Sequence, residues 1–120
     1  MQIRTIHQEN TCIAVVSNVP LLCTAGDILD LAISARYKSG ADRLVFNQAA
    51  FCEDFFVLST GLAGEALQKL VNYRFKLAIV GDFSQVTSKA LRDFIRESNH
   101  GENVFFVPNE EAAIAKLSQL

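Results

Sequence analysis

The chain has 120 residues, half of them hydrophobic, and a formal net charge of −2 at pH 7. This length suits one domain with a core of its own, and the hydrophobic content excludes a disordered chain. The charge does not favour nucleic acid, and no apolar run is long enough to span a bilayer. We therefore expect a single cytoplasmic domain over residues 1–120, without a signal peptide, that binds neither nucleic acid nor membrane.

Short runs rich in branched and aromatic residues predict five strands, and the strongest of these signals is KLAIVGD. A polar stretch over residues 7–10 separates the first two runs and is short enough for a hairpin turn. The predicted strands are 2–7, 11–17, 43–47, 76–82 and 104–107.

Four helices are predicted between and after these strands. Thr24 begins a capping motif that Asp27 completes, and Gly40 supplies a left-handed stop. Asn109 caps the last helix. The apolar residues of each helix recur at helical spacing and predict its buried face. These faces are Ile28, Leu31, Ala32 and Ala35; Leu62, Ala66, Leu67, Leu70 and Val71; Leu91, Phe94 and Ile95; and Ile114, Leu117 and Leu120.

The alternation of strands and helices predicts an α/β domain with a mostly parallel sheet, because each crossover helix returns the chain to the same end. The first two strands add an antiparallel hairpin. Polar residues that follow the parallel strands are then expected together at the carboxyl edge of the sheet, where α/β proteins bind ligands.

The run LVFN at 44–47, followed after a connection by LSTGL at 58–62 and by Gly64, resembles the core of STAS domains. This superfamily includes the anti-anti-sigma factors. The resemblance implies a STAS-like fold and a non-catalytic, regulatory function in binding another protein. It also places Thr60 at the position whose hydroxyl is phosphorylated in those factors, whereas Leu58 stands where they carry an aspartate.

The segments TGLAGEALQKLVNYRFKLAIVGDFS and SKALRDFIRESN are similar to an uncharacterised family of small bacterial proteins. For that family the resemblance implies no activity.

Ser59 and Thr60 have two interpretations that are compatible with each other. A hydroxyl before a helix caps its first turn, which contributes about 1 kcal/mol. The same hydroxyl is a candidate phosphoacceptor, because the unpaired N–H groups and dipole of the helix would hold a phosphate there. Gly61 and Gly64 are expected to pack the helix closely, with Glu65 on its exposed side, and all three are candidate contacts of a partner or ligand.

Asp82, Ser84 and Arg92 offer an alternative site, for a small molecule or a modest enzyme, at the end of a central strand. Neither histidine lies near them in sequence and no nucleophile-elbow motif is present, so we expect no catalytic residues and interpret Asp82 as a turn or cap residue. A mixed-charge face is expected on the helix that carries Arg92, with ion pairs within it.

The remaining expectations concern cysteines and phenylalanines. Cys12, Cys23 and Cys52 are widely spaced among apolar neighbours, so we expect buried, inert thiols, no disulfide and no metal or other cofactor. A third possible function is a homodimeric domain, which would associate through phenylalanines expected to be exposed. These are Phe51, Phe55 and Phe56.

Overall fold

A computed structural model describes residues 1–8 and 10–120, and Glu9 of the predicted hairpin turn lies outside that part. Within it the chain has the expected α/β fold, with five strands and four α-helices. The strands are β1 (Gln2–Gln8), β2 (Thr11–Ser17), β3 (Arg43–Asn47), β4 (Lys76–Val80) and β5 (Val104–Val107). The helices are α1 (Ala25–Ser39), α2 (Leu62–Asn72), α3 (Lys89–His100) and α4 (Glu110–Ser118).

The strands lie side by side in chain order, β1-β2-β3-β4-β5. β1 pairs antiparallel with β2, and the three following pairs are parallel, as the alternating pattern predicts. The carboxyl ends of β2 to β5 therefore meet at one edge of the sheet, which carries the loops after β3 and β4.

Helices cover both faces of the sheet. Leu44 and Phe46 point to one face, where they pack in one cluster with Ile28 of α1 and Leu70 of α2. Half-buried residues of α3 pack against the same cluster. Val45 points to the opposite face and packs in a second cluster with residues of α4, including Leu117. Because both faces are covered, the central strands are apolar throughout rather than alternating with polar residues.

Three predicted helix boundaries are confirmed by their hydrogen bonds. The Thr24 hydroxyl accepts from the Asp27 amide at 3.0 Å, and Asn109 Oδ1 accepts from the Ala112 amide at 2.8 Å. Gly40 ends α1 with φ 75° and donates its amide to the Arg36 carbonyl. These caps satisfy backbone groups that the helix ends leave unpaired.

Three predicted boundaries differ from the structure. β1 runs to Gln8, one residue beyond its predicted end. β4 ends at Val80, two residues before the predicted end, because the chain turns at Asp82. Leu120 lies beyond the end of α4 and is exposed, while Ala113 is buried on that helix instead.

Candidate functional site

Five of the predicted site residues lie at the same edge of the sheet, in the loops 48–61 and 81–88 that follow β3 and β4. These are Ser59, Thr60, Gly61, Asp82 and Ser84, whereas Gly64 and Glu65 lie on α2 and Arg92 lies on α3. These loops touch each other. The rings of Phe56 and Phe83 have centroids 6.2 Å apart, and a Cβ built on Gly81 would come within 2.7 Å of the Gln48 Cβ. Gly81 thus lets the first loop pass close against the end of β4.

The loop after β3 is an ordered layer built from three short 3-10 turns, Gln48–Ala50, Glu53–Phe56 and Leu58–Thr60. Phe51 and Phe55 stack with centroids 4.5 Å apart and are only 4% and 1% exposed. The expectation that the phenylalanines form an exposed dimer surface is therefore wrong for these two, and Phe56 is half-buried. They instead cover the edge of the core beside Phe46.

Thr60 ties this loop together. Its hydroxyl hydrogen is shared between the carbonyl oxygens of Asp54, at 2.7 Å, and Val57, at 2.9 Å. The same oxygen accepts a hydrogen bond from the Leu62 amide at 3.3 Å. The predicted cap is thus confirmed for one amide, although the residue immediately before α2 is Gly61. Ser59 is exposed, and no partner within the described residues bonds its hydroxyl.

The two glycines have roles other than the expected close packing. Gly61 has φ 77°, a left-handed conformation that residues with a side chain adopt at a cost. A Cβ on either glycine would meet no described atom within 4 Å, so crowding does not require a glycine at either position. Gly64 is exposed and lines an open groove of about 370 Å³ between α2 and α3, together with Gln68 and Phe94. Glu65 is exposed on the same helix, as expected.

An apolar residue stands out on this loop. Val57 is 49% exposed, between the buried Phe55 and the Thr60 hydrogen bonds that fix the backbone around it. With Leu58, Ser59, Thr60 and Gly61 it forms what we call the α2-entry loop, residues 57–61. Sequence reasoning placed the loop but missed Val57, because one valine in an irregular segment carries no periodic signal.

The charged residues next to the α2-entry loop in the sequence have one sign. Between Arg43 and Lys69 the sequence contains three acidic residues and neither lysine nor arginine. The acids are Glu53, Asp54 and Glu65, and all three are exposed. The α2-entry loop therefore presents one half-exposed apolar side chain, Val57, with an acidic border, by which we mean Glu53, Asp54 and Glu65 on either side of it in the sequence.

Asp82 and Ser84 form a turn. Asp82 Oδ1 accepts from the Ser84 amide at 3.0 Å and from the Ser84 hydroxyl at 2.6 Å. The hydroxyl, and then the amide, stabilise the carboxylate and lower the pKa of Asp82 below its ordinary value. This is the turn role that the sequence predicts for Asp82.

Arg92 is exposed on α3, and among the described residues no ion pair joins it to Asp82. The expected mixed-charge face is present on this helix, where Asp93 bonds Lys89 at 2.7 Å and Arg96 at 3.0 Å. The structure thus joins Asp82 to Ser84 and, among the described residues, joins neither of them to Arg92.

The expectation of buried, isolated cysteines is wrong. Cys23 is exposed, and Cys12 and Cys52 are half-buried. Cys23 and Cys52 are neighbours, and the hydrogen bond between their side chains raises the pKa of Cys23, with smaller contributions from burial and from Cys52, Asp27 and Asp54 as negative charges. The pairing depends on two loops meeting in space, so spacing in the sequence could not reveal it.

Groups that could hold a metal ion, meaning three or more His, Cys, Asp or Glu side chains together, do not occur among the described residues. In the same residues, every helix is too short or too polar to cross a membrane.

A comparison with curated proteins gives no match. A family model, described as domain of unknown function (DUF4180), matches residues 7–117. This range covers nearly all of the α/β unit, from the end of β1 to the last turn of α4. The chain therefore belongs to the DUF4180 family.

Proposed function

We propose that this domain is a non-catalytic regulator that binds another protein through the α2-entry loop. The observation that carries the proposal is the half-exposed Val57 side chain, held on a loop whose neighbours are fixed by buried Phe55 and by the Thr60 hydrogen bonds. An apolar group already fixed in place loses little conformational entropy on binding. The resemblance to STAS domains, whose binding loop occupies the same place in the sequence, supports the same function.

The acidic border defines the chemistry of the partner. Glu53, Asp54 and Glu65 are exposed and flank Val57 in the sequence, so they add negative charge near an apolar side chain. Surfaces that associate specifically have complementary potentials, with charge at the rim and apolar contact at the centre. The partner in this proposal therefore presents an apolar pocket or patch bordered by lysine or arginine.

Phosphorylation of the loop is the proposed switch, and Thr60 and Ser59 would respond differently. A phosphate on Thr60 removes the hydroxyl hydrogen and places negative charge against the carbonyl oxygens of Asp54 and Val57, so the loop would have to open. A phosphate on exposed Ser59 would leave those hydrogen bonds intact and add charge to the binding surface. Either modification weakens binding to an apolar pocket.

Two alternatives receive less support from the geometry. A small-molecule site at Asp82, Ser84 and Arg92 would need these side chains to converge, but Asp82 and Ser84 bond each other and, among the described residues, neither bonds Arg92. Self-association through the phenylalanines is weakened by the burial of Phe51 and Phe55. A homodimer formed through Val57 is a different arrangement, which the following experiment distinguishes from binding to another protein.

The test is quantitative affinity capture from the native host with three tagged proteins, which are the wild type and the variants Val57→Glu and Tyr37→Glu. Val57→Glu places a charge at the centre of the proposed surface, whereas Tyr37→Glu places one on α1, where Tyr37 is 90% exposed. We expect Val57→Glu to reduce the yield of a specific partner by about tenfold or more, and Tyr37→Glu to leave it unchanged. A partner retained by Val57→Glu, or lost equally with both variants, contradicts the proposal. Capture of only the untagged chain contradicts it in favour of the homodimer.

A further inference from the structure

Two loops far apart in sequence are joined by a strand-like pair of hydrogen bonds. Leu22 and Phe51 form a parallel bridge. The Leu22 amide donates to the Ala50 carbonyl at 2.8 Å, and the Cys52 amide donates to the Leu22 carbonyl at 3.1 Å. This register fixes the connection between β2 and α1 against the loop after β3.

The register places Cys23 beside Cys52. Residues that follow a parallel bridge lie opposite each other, and neighbouring strands are about 5 Å apart. That separation falls within the Cα–Cα range of about 4.4–6.8 Å that a disulfide requires. Both cysteines line the same open cavity of about 540 Å³, so reagents in solution reach them.

We propose that Cys23 and Cys52 form a redox site that small neutral or cationic disulfides convert reversibly into an intramolecular disulfide. In the first step the Cys23 thiolate attacks one sulfur of the reagent, forming a mixed disulfide and releasing one reagent thiolate. The Cys52 thiolate then attacks the Cys23 sulfur, forms the Cys23–Cys52 bond and releases the second reagent thiolate. The two cysteines lose two protons and two electrons, and the reagent disulfide is reduced to two thiols.

The reagent class follows from the charges around the pair. Asp27 and Asp54 lie close enough to Cys23 to raise its pKa, after the larger effects of the hydrogen bond to Cys52 and of burial. Glu53 and Asp54 also line the cavity. These carboxylates repel an anionic reagent such as glutathione disulfide and favour cystamine, which is cationic. The raised pKa makes the thiolate scarce, so the reaction accelerates as pH rises.

The experiment treats the folded protein with cystamine, alkylates the remaining thiols and maps them by mass spectrometry. Cys12 is the internal control, since it is half-buried beside the Ser39 carbonyl in another part of the fold. We expect cystamine to protect Cys23 and Cys52 from alkylation and to join their two peptides by a disulfide. A reducing agent should make both thiols open to alkylation again. Cys12→Ser should behave like the wild type, whereas Cys52→Ser should stop at a mixed disulfide on Cys23.

Three results overturn the proposal. The first is a stable mixed disulfide on Cys23 of the wild-type protein while Cys52 remains open to alkylation. The second is a disulfide that includes Cys12 or joins two chains. The third, against the assigned reagent class, is oxidation by glutathione disulfide as fast as by cystamine at low ionic strength and equal concentration. Mapping the disulfides of the wild-type protein is enough to detect either of the first two results, so neither depends on whether a variant folds.

Discussion

The Thr60 hydroxyl lies 2.7 Å from the carbonyl oxygen of Asp54, six residues earlier in the chain, and donates a hydrogen bond to it. This bond links the last two 3-10 turns of the loop after β3. The same hydroxyl also donates to the Val57 carbonyl, between the two turns. The shape of the α2-entry loop therefore depends on a donor at position 60. A side chain that only accepts hydrogen bonds, as in ordinary helix capping, would not hold the loop in this shape.

Variants at position 60 test this dependence. Thr60→Val keeps the shape of the side chain but removes the hydroxyl, and we expect it to lower the free energy of unfolding by about 1–2 kcal/mol. Thr60→Ser should cost less, because it retains the donor. Thr60→Asp should resemble Thr60→Val, since a carboxylate accepts from the Leu62 amide but repels the two carbonyl oxygens. Urea unfolding measures all three, and a Thr60→Asp protein as stable as the wild type would show that capping alone matters.

Gly61 and Gly64 should respond to alanine in opposite directions. Gly61→Ala forces a side chain into φ 77° and should destabilise the protein by about 1–2 kcal/mol. Gly64 lies within α2 with open space around it, so Gly64→Ala should stabilise the protein by about 0.5–1 kcal/mol. Denaturant unfolding compares the pair directly. Equal effects of the two substitutions would contradict the assigned conformations.

Asn99 protects the edge strand β5. Its side-chain oxygen accepts from the Phe106 amide at 2.7 Å, and its amide nitrogen donates to the Phe106 carbonyl at 3.1 Å. Asn99→Ala leaves the backbone amide of Phe106 without its hydrogen-bond acceptor and should lower the free energy of unfolding by about 1–3 kcal/mol. The exposed strand edge should also increase aggregation, as measured by light scattering.

Asn72→Ala is the matched control for Asn99. Within the described residues, the Asn72 side chain accepts a hydrogen bond from the exposed Gln68 side chain alone, and its loss should cost under about 0.5 kcal/mol. If Asn99→Ala is as mild as Asn72→Ala, the side chain of Asn99 does not protect the strand in solution.

The pH response of Asp82 follows from its bond to Ser84. The pKa of Asp82 is lower in the folded protein than in the unfolded chain. The stability that the ionised Asp82 contributes is therefore complete above the unfolded-state pKa, and it is lost as the pH falls through the folded-state pKa. Ser84→Ala removes the largest cause, so the Asp82 pKa should rise towards its ordinary value in an NMR carboxyl titration. The pKa of Asp93, lowered chiefly by Lys89, should stay constant. An unchanged Asp82 pKa in Ser84→Ala would argue against the turn.

Local patterns were enough to predict most of the fold. The apolar runs at 11–17, 43–47 and 104–107 match β2, β3 and β5 residue for residue, because a strand between covered faces needs continuous apolar side chains. Thr24 and Asn109 identified helix starts because capping is a local interaction within one turn. These features depend on neighbours in sequence, which is why one sequence reveals them.

The site was less predictable because tertiary contacts form it. Phe51 and Phe55 lie in a segment without periodicity, and their burial depends on the loop closing over Phe46. The donor role of Thr60 requires the Asp54 carbonyl to fold back towards it. The Cys23–Cys52 pair likewise requires the Leu22–Phe51 bridge. No local pattern records such contacts.

Photo-crosslinking in the native host tests the central claim, protein binding through the α2-entry loop, most directly. A photoreactive phenylalanine analogue replaces Val57 in one protein and Tyr37, exposed on α1, in the matched control. The account predicts that irradiation joins the Val57 protein to one distinct partner protein, and that the Tyr37 protein gives no such product. Absence of a product at Val57, the same product at both positions, or a product containing only a second copy of this chain would contradict it.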